Sequence, residues 1–330
     1  MPNSKQAARA KQNRLTLGFL TFHQDGDYHN QMMRGIFEAA RKHDVNIILF
    51  NGYGGGIDEK GFQQDIKDLL AIIREQNLDG LMFIGWLHNL VNDYQEDISR
   101  LPMPLFSIGA GHKDIPYVYT DGGIYLRELL IHLIQVHGCR KIAFISPRTS
   151  KPALLDNRVQ IYMDVMREYE IYDPQLFVNA LVVNSCGLNY YLRAQKAISV
   201  LLDERKTPVD AIVSPYNHEA VAVLKVLQER GIDVPNTIKI VGYEDDYSGE
   251  FASVPITTVY FPFWELGFHG CERFIKILTQ KNHHNSSFSS FIAGRTILRN
   301  SCGCMSSSVT LAATDGEIPL KNDSLLTEPN

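Results

Sequence analysis

The sequence predicts an α/β protein with two doubly wound parallel-sheet lobes, and three observations support this fold class. Strand-like apolar runs alternate with segments of helical apolar spacing about ten times along the chain. The runs are apolar almost throughout, which indicates strands that crossover helices bury on both faces. Because so many alternations exceed one small sheet, we expect two lobes.

In the first half, each predicted helix places its apolar residues on one face. A strand at Leu15–Phe22 precedes a helix at Tyr28–His43, and a second strand follows at Asn46–Asn51. The next strands, Gly80–Ile84 and Lys141–Ile145, each come after apolar residues at helical spacing. These residues are Ile66, Leu69, Leu70 and Ile73 before the first of the two, and Leu126, Leu129, Leu130, Leu133 and Ile134 before the second.

The second half continues the same alternation as far as Tyr243. The predicted helices are Leu155–Tyr169, Tyr191–Leu202 and a segment with Ala220, Val223, Leu224 and Leu227 on one stripe, and the predicted strands are Leu181–Val183, Ala211–Ser214 and Ile238–Tyr243. Sheets of this kind bind ligands at the carboxyl ends of their strands. The residues that follow each strand are therefore candidates for a site.

Composition excludes several classes of protein. With 45% hydrophobic and 21% charged residues, the chain resembles an ordinary globular protein rather than a disordered one or a coiled coil. Its 32 basic and 37 acidic residues give a net charge of −5, so no overall positive field attracts nucleic acid. No apolar stretch approaches the roughly 18 residues of a membrane span, and the N-terminus lacks the apolar core of a secretory signal. Five sparse cysteines favour reduced thiols, and we expect a cytoplasmic protein without membrane contact.

Two terminal segments lie outside the alternation. Met1–Arg14 is basic and contains no acidic residue. Met305–Asn330 is rich in serine, threonine, aspartate and asparagine and has no periodicity, so we expect a disordered tail or a linker.

The segment Gly231–Asp246 (GIDVPNTIKIVGYEDD), followed by Thr257–Val259, Pro262 and Gly267, closely resembles the ligand-sensing core of lactose- and galactose-repressor (LacI/GalR) type proteins. That family carries the patterns G-x-x-V-P, V-G-Y-D-D and T-T-V-x-x-P in this order. Further matching segments are Leu78–Leu81, Asp121–Gly122, His132–Ile134, Gly138–Ile142, Arg158 and Asn217–His218. The resemblance runs from about Leu15 to Cys304.

The resemblance implies a type I periplasmic-binding-protein-like fold, with two lobes joined by three crossovers and a ligand cleft between them. It places the crossovers near Gly138–Ile142, Thr257–Phe261 and Asn282–Phe288. We therefore expect an N-terminal lobe of residues 15–139 plus 261–286 and a C-terminal lobe of residues 140–260 plus 287–304. The resemblance also implies a homodimer.

The chain departs from this family at both ends. A three-helix DNA-binding headpiece does not fit into Met1–Arg14, which is either a remnant of the hinge after such a headpiece or an ordinary basic tail. The ending Arg299–Cys304 resembles cores that are fused to a C-terminal output module: a DNA-binding domain, a histidine kinase or a diguanylate cyclase. We therefore expect DNA contact only through a module that this chain does not contain.

Residues that follow the first-lobe strands supply part of the predicted ligand site. Asp25, Tyr28 and Asn30 follow the first strand, although Asp and Asn also favour helix N-caps. Trp86 follows Gly80–Ile84, where an indole either stacks on a sugar ring or packs in the core. Asp121 precedes a helix and is equally an N-cap, so the family correspondence alone makes it a candidate.

The remaining candidates belong to the second lobe. Arg158 can donate a fork of hydrogen bonds to ring or carboxylate oxygens, whereas a surface helix arginine is the alternative. Asn217 and Glu244 follow two strands and can accept hydroxyl protons, although the family usually has Asp where Glu244 stands. Asn189 and Tyr190 lie where relatives carry an aromatic cleft residue.

Other signals argue against a metal, a cofactor or a catalytic set. His283 and His284, taken with Cys302 and Cys304, lack a recognised zinc-ligand spacing, so we expect no metal site. No G-x-G-x-x-G opens a helix and no G-x-S-x-G appears, so we expect neither a dinucleotide cofactor nor a nucleophile.

We therefore expect a non-enzymatic sensor of a small polar effector, with a sugar as the first choice. Two alternatives remain: a nicotinamide-dependent α/β enzyme and a sugar-binding protein that serves a transporter. Turnover of a bound compound would favour the first alternative, and an upstream secretory signal would favour the second.

Overall fold

A computed structural model of the chain describes residues 14–23, 27–53, 59–85, 97–98, 100–111, 114–146, 157–180, 189–280 and 289–304. The chain divides into two compact units. Unit 1 spans Met1–Thr120, Pro262–Ile292 and Asn322–Asn330, and unit 2 spans Asp121–Phe261 and Ala293–Lys321.

Strands and helices alternate through both units, as the sequence predicts. In chain order they are β1 (Thr16–His23), α1 (Asp27–Lys42), β2 (Asn46–Tyr53), α2 (Glu59–Glu75), β3 (Gly80–Ile84), β4 (Leu105–Gly109), β5 (Tyr117–Tyr119), α3 (Gly122–Gln135), β6 (Ile142–Ile145), α4 (Asn157–Glu168), β7 (Phe177–Val178), α5 (Tyr190–Ile198), β8 (Ala211–Val213), α6 (Asn217–Glu229), β9 (Lys239–Val241), α7 (Tyr247–Glu250), β10 (Thr258–Tyr260), α8 (Phe263–Thr279), β11 (Ser289–Phe291) and β12 (Arg295–Ile297). Helix α5 continues as a π-helical segment over Ser199–Glu204, and a 3₁₀ turn covers Asn300–Cys302.

Unit 1 contains a six-stranded sheet in the order β2-β1-β3-β4-β5-β11, and all of its pairs are parallel. The central strand β3 is buried at every position, which explains its uninterrupted apolar sequence. Helices α1 and α8 pack together at close range, since Gly35 and Gly267 each face the backbone of the other helix.

Unit 2 contains a four-stranded parallel sheet in the order β7-β6-β8-β9 and an antiparallel pair, β10 with β12. One core joins the sheet to α5 and α6 through residues such as Ile198 and Leu224. The other core joins it to α3 and α4 through residues such as Leu130 and Tyr162. The sheet is therefore covered by helices on both faces, which confirms the predicted α/β class with parallel sheets.

The division between the units differs from the expected one at the first crossing, which lies at 120/121 instead of 139/140. The reason is the apolar face of α3, because Leu126, Leu130 and Leu133 share a core with Ile142 and Phe144 of β6. The other crossings lie at 261/262 and 292/293.

Several sequence-based expectations fall on residues outside the described ranges. The predicted strand Leu181–Val183 is one of them; β7, which was not predicted, covers Phe177–Val178 and pairs with β6. Residues 1–13 and 305–330, for which we expect tails, are others. Among the described residues, no helix combines the length and the apolar character that a membrane crossing requires.

Candidate functional site

The carboxyl ends of β6, β8 and β9 lie side by side in unit 2, because these strands are parallel and in register. Three polar or aromatic residues follow them or open the neighbouring helices: Arg158, Tyr190 and Glu244. Together with Tyr216 and Tyr243, we call them the edge cluster. This is the edge at which parallel sheets bind ligands.

Arg158 is the centre of the edge cluster. Its guanidinium carbon lies 5.1 Å from the ring centroid of Tyr216 and 5.2 Å from that of Tyr243. Its Nη1 donates a hydrogen bond of 2.8 Å to the carbonyl oxygen of Pro215. Two cation–π contacts and a backbone acceptor thus fix the direction of a half-buried positive charge.

Tyr190 adds a phenol beside this arginine. Its ring centroid lies 6.0 Å from that of Tyr216 and 5.6 Å from that of His218. Burial raises the pKa of Tyr190 well above its usual value, and the nearby Tyr216 and Glu244 raise it further. The phenol therefore keeps its proton at neutral pH and can both donate and accept a hydrogen bond.

Glu244 has a backbone that few non-glycine residues adopt. Its φ of 69° lies in the left-handed region, in the loop that follows the end of β9 at Val241. Such a conformation costs about 1–2 kcal/mol for a residue with a β-carbon. Because strain of this kind concentrates at functional sites, it supports a role for Glu244.

Asn217 is predicted to be a ligand residue, and in the structure it supports the loop after β9. Its side chain is 2% exposed, and its Nδ2 donates a 2.9 Å hydrogen bond to Asp246 Oδ1. A β-carbon added to Gly242 or Gly249 would lie 2.5 or 2.2 Å from the side-chain amide of Asn217. The amide therefore fills its space closely and holds the carboxylate that caps α7.

The variant Asn217→Asp is expected to destabilise unit 2 by about 2 kcal/mol, because it sets a second carboxylate against Asp246 in a buried space. Urea unfolding followed by circular dichroism measures this loss. The matched control is Asn236→Asp, since Asn236 Nδ2 donates to Asp233 at 2.7 Å on the exposed surface. Equal losses in the two variants would contradict the supporting role of Asn217.

A buried ion pair, whose two charges act on Tyr190 of the edge cluster, was missed by sequence reasoning. Arg193 Nε donates to Glu219 Oε1 at 2.7 Å, and the two side chains are 1% and 0% exposed. The same guanidinium donates to the carbonyl oxygens of Ser146 and Ala180. Burial raises the pKa of Glu219, while Arg193 and the more distant Arg158 oppose that rise.

Two predicted ligand residues cap helices in unit 2. The Asp121 carboxylate accepts from the amide of Gly123 at 2.9 Å, and the Asn189 side chain accepts from the amide of Leu192 at 3.0 Å. These contacts match the capping alternative for Asp121. Asn189 and Tyr190 nevertheless lie next to each other, so α5 brings Tyr190 to the edge cluster.

The unit 1 candidates lie at the start of α1. The ring of Tyr28 packs 5.4 Å from that of Phe263 and 4.7 Å from that of His29, whereas Asn30 is exposed. Asp25 and Trp86, also predicted, lie outside the described residues.

Sequence reasoning also missed Tyr216 and Tyr243 as members of the edge cluster. Tyr216 follows β8 by three residues, so the rule that singled out Asn217 applied to it as well. Tyr243 was hidden because the predicted strand ran to Tyr243, whereas β9 ends at Val241.

One further group of side chains has the chemistry of a metal site. The ligand atoms of His132, His137, Cys302 and Cys304 all lie within 4.8 Å of one another. The expectation of no metal site pairs these cysteines with His283 and His284, which lie outside the described residues. The partners in the structure are the two histidines near the end of α3.

Comparisons with known proteins identify a matching domain family, related sequences and a similar structure. A profile of the periplasmic binding protein-like domain matches residues 131–302, slightly more than half of the chain. Catabolite control protein A of Staphylococcus xylosus is 24% identical over 284 residues, covering 85% of this chain and 80% of the relative. The ribose operon repressor of Lactococcus lactis is 23% identical over 285 residues, covering 85% and 78%. The structure of the transcriptional regulator CelR in complex with cellobiose superposes with a TM-score of 0.67 at 20% identity, covering 90% of this chain and 89% of that one.

Proposed function

Because the chain belongs to the family of periplasmic binding protein-like domains, and its relatives are LacI-type transcriptional regulators, we propose that it senses a small polar effector and controls transcription in response. A sugar is the class of effector we favour. The observation that carries this proposal is the edge cluster of unit 2. Since a regulator of transcription works where the DNA is, the proposed location is the cytoplasm.

The chemistry of the edge cluster suits a hydroxylated ring. The Arg158 guanidinium donates hydrogen bonds to ring or hydroxyl oxygens, and the Glu244 carboxylate accepts hydroxyl protons. Aromatic rings such as Tyr190 and Tyr216 suit the apolar C–H face of a sugar. Two relatives point to the same class, since one is named a ribose operon repressor and another is described in complex with cellobiose.

Signalling in this proposal depends on differential affinity. An effector changes the balance between two conformations only by binding one of them more tightly, and a near-complete shift takes about 5 kcal/mol. No group in the edge cluster needs to react, so the proposal involves no chemical step. The position of the effector between two lobes, which the family resemblance implies, stays a prediction.

We propose that the chain signals as a homodimer. In this proposal, a separate module makes the contact with DNA. Large apolar side chains on unit 1 support an interface there. Phe37 on α1 is 45% exposed and Ile72 on α2 is 51% exposed, and Ile48 and Leu49 are exposed on β2, an edge strand of the sheet. Exposed apolar side chains next to a sheet edge are typical of a surface that a partner chain covers.

The replacement Arg158→Ala is expected to weaken effector binding by about 10- to 100-fold, because a charge-assisted hydrogen bond contributes about 1.5–3 kcal/mol. Calorimetry against a panel of mono- and disaccharides first identifies the ligand in the wild-type chain, and the variant is then titrated with it. Arg167→Ala is the matched control. Arg167 lies on the same helix as Arg158, nine residues further along, and its guanidinium carbon lies 5.2 Å from the ring centroid of Tyr172.

Three outcomes would contradict the proposal. Unchanged affinity in Arg158→Ala would remove this residue from the site. An equal loss in Arg167→Ala would indicate a general effect of changing helix α4. Turnover of the bound compound, with NAD(H) present or absent, would replace the sensor with an enzyme.

A further inference from the structure

Four side chains of unit 2 converge at the end of helix α3. His132 lies in the last turn of α3, and His137 follows the helix by two residues. Cys302 ends the 3₁₀ turn Asn300–Cys302, and Cys304 follows it. Cys302 is fully buried, and the other three are partly buried.

The distances among these atoms match tetrahedral coordination. His132 Nε2 and His137 Nε2 are 3.1 Å apart, and Cys304 Sγ lies 3.3 and 3.4 Å from them. Cys302 Sγ lies 3.9 Å from His132 Nε2. Zinc bonds of about 2.3 Å to sulfur and 2.05 Å to nitrogen, at tetrahedral angles, place N and N about 3.3 Å apart and S and N about 3.6 Å apart. The observed values lie on both sides of these separations.

The local backbone brings the two cysteines to the histidines. Gly303, which separates them, has a φ of 96°, a conformation that favours glycine. A β-carbon at Gly303 would lie 3.5 Å from the His137 ring. The C-x-C segment therefore forms a tight turn, and this turn brings both thiol sulfurs close to the two histidine rings.

We propose that His132, His137, Cys302 and Cys304 bind one structural zinc ion. The two histidines have four residues between them, which fits the spacing of known zinc ligand pairs, whereas C-x-C is one residue shorter than the usual cysteine pair. Thiolate and imidazole together select zinc over hard cations such as magnesium and calcium. On binding, each thiol loses its proton to the solvent, so two thiolates neutralise Zn²⁺ and the partly buried site carries no net charge.

The proposed ion fastens the segment 300–304 to helix α3. The two cysteines lie at least 165 residues beyond the histidines in sequence, so the ion closes a long loop of the unfolded chain. The same segment already holds unit 2 together, since Ser301 Oγ donates to the carbonyl of Ile240 and accepts from the amide of Thr257. This inference does not depend on the identity of the effector.

Metal analysis of the full chain, purified under reducing conditions, tests the proposal. We expect about one zinc per chain by mass spectrometry after exhaustive dialysis. Cobalt(II) added to the metal-free chain should give the ligand-field bands of a tetrahedral site and a thiolate-to-cobalt charge-transfer band. Zinc should abolish both signals at about one equivalent.

Variants separate this site from adventitious binding. Cys304→Ser should reduce the charge-transfer band by about half, and the double variant Cys302→Ser, Cys304→Ser should remove it. Cys139→Ala is the matched control, because Cys139 is a buried free thiol of the same unit outside the cluster. His283→Ala with His284→Ala tests the other histidine pair and should leave the signals unchanged.

Three results would overturn the proposal. The first is a reduced wild-type chain that holds no zinc and shows no cobalt bands. The second is a cobalt spectrum that the double cysteine variant retains. The third is a loss of the bands in the His283, His284 variant, which would assign the metal to another ligand set. If the cysteine variants do not fold, the cobalt spectrum of the wild-type chain still decides the number of thiolate ligands through the intensity of the charge-transfer band.

Discussion

Arg193→Met is expected to lower the free energy of unfolding by about 3–5 kcal/mol, the cost of leaving one member of a buried ion pair without its partner. In the wild-type chain the guanidinium donates to Glu219 Oε1 at 2.7 Å and to the carbonyl oxygens of Ser146 and Ala180 at 2.9 and 3.2 Å. Methionine has a similar length but donates no hydrogen bond. Urea unfolding followed by circular dichroism measures the loss.

The pH dependence of this variant gives a second signature. Burial raises the pKa of Glu219, and Arg193→Met removes the main opposing charge. A carboxyl group whose folded-state pKa is raised favours folding below its unfolded-state pKa and opposes folding as pH rises. The variant should therefore lose less stability at about pH 5 than at about pH 8.

A double variant and a surface control make the test specific. Arg193→Met combined with Glu219→Leu should recover much of the loss, because replacing both partners leaves no buried charge. Arg230→Met is the control, since Arg230 donates two 3.0 Å hydrogen bonds to Asp203 on the exposed surface. If Arg193→Met cost no more than Arg230→Met, or if the double variant were no more stable than the single one, the buried pair would not stabilise unit 2 in this way.

The fold class and most strands could be predicted because burial on both faces leaves an uninterrupted apolar run. Gly80–Ile84 and Ile142–Ile145 are buried at every position, and each lies where a strand was predicted. Strand β7 shows the limit of this rule. The strand consists of the apolar pair Phe177–Val178, which is too short to stand out as a strand pattern in the sequence. Its position is fixed by pairing with β6.

Part of the candidate site could also be predicted, since polar residues at strand ends converge in a parallel sheet. This rule found Glu244, whereas the family resemblance singled out Arg158 and Tyr190; the structure places all three in the edge cluster. The rule could not separate ligands from caps, because Asp and Asn favour both roles, and Asp121 and Asn189 cap helices here.

Two clusters could not be predicted because tertiary packing alone brings their members together. Charged residues on helices usually face the solvent, so nothing in the sequence distinguishes the buried Arg193 and Glu219 from their exposed neighbours. His132 and Cys304 lie 172 residues apart, and neither carries a recognised zinc motif by itself.

Gly35→Ala is expected to destabilise unit 1 by about 3 kcal/mol, although alanine is favoured over glycine by about 1 kcal/mol inside an ordinary helix. A β-carbon on Gly35 would lie 2.1 Å from the carbonyl oxygen of Trp264 and 2.7 Å from the amide nitrogen of Phe268. Both contacts are with the backbone of α8, which cannot turn aside as a side chain can. Helices α1 and α8 must therefore separate and lose packing.

Tryptophan fluorescence measures this loss, because both tryptophans of the chain belong to unit 1 and Trp264 lies at the helix crossing. Gly267→Ala should behave like Gly35→Ala, since its β-carbon would lie 2.2 Å from the carbonyl oxygen of Met32. The double variant should cost less than the sum of the two, because helices that have parted for one methyl group have room for the second.

Gly270→Ala is the graded control on the same helix. Its β-carbon would meet only side-chain atoms of Val118 and Ile108, at 3.0 to 3.3 Å, and these can shift. We expect a clearly smaller loss than for Gly35→Ala. Should Gly35→Ala instead match or exceed the stability of the wild-type chain, as helix propensity alone predicts, the close backbone approach of α1 and α8 would be wrong. The glycines matter because they let the two helices pack closely on the parallel sheet of unit 1.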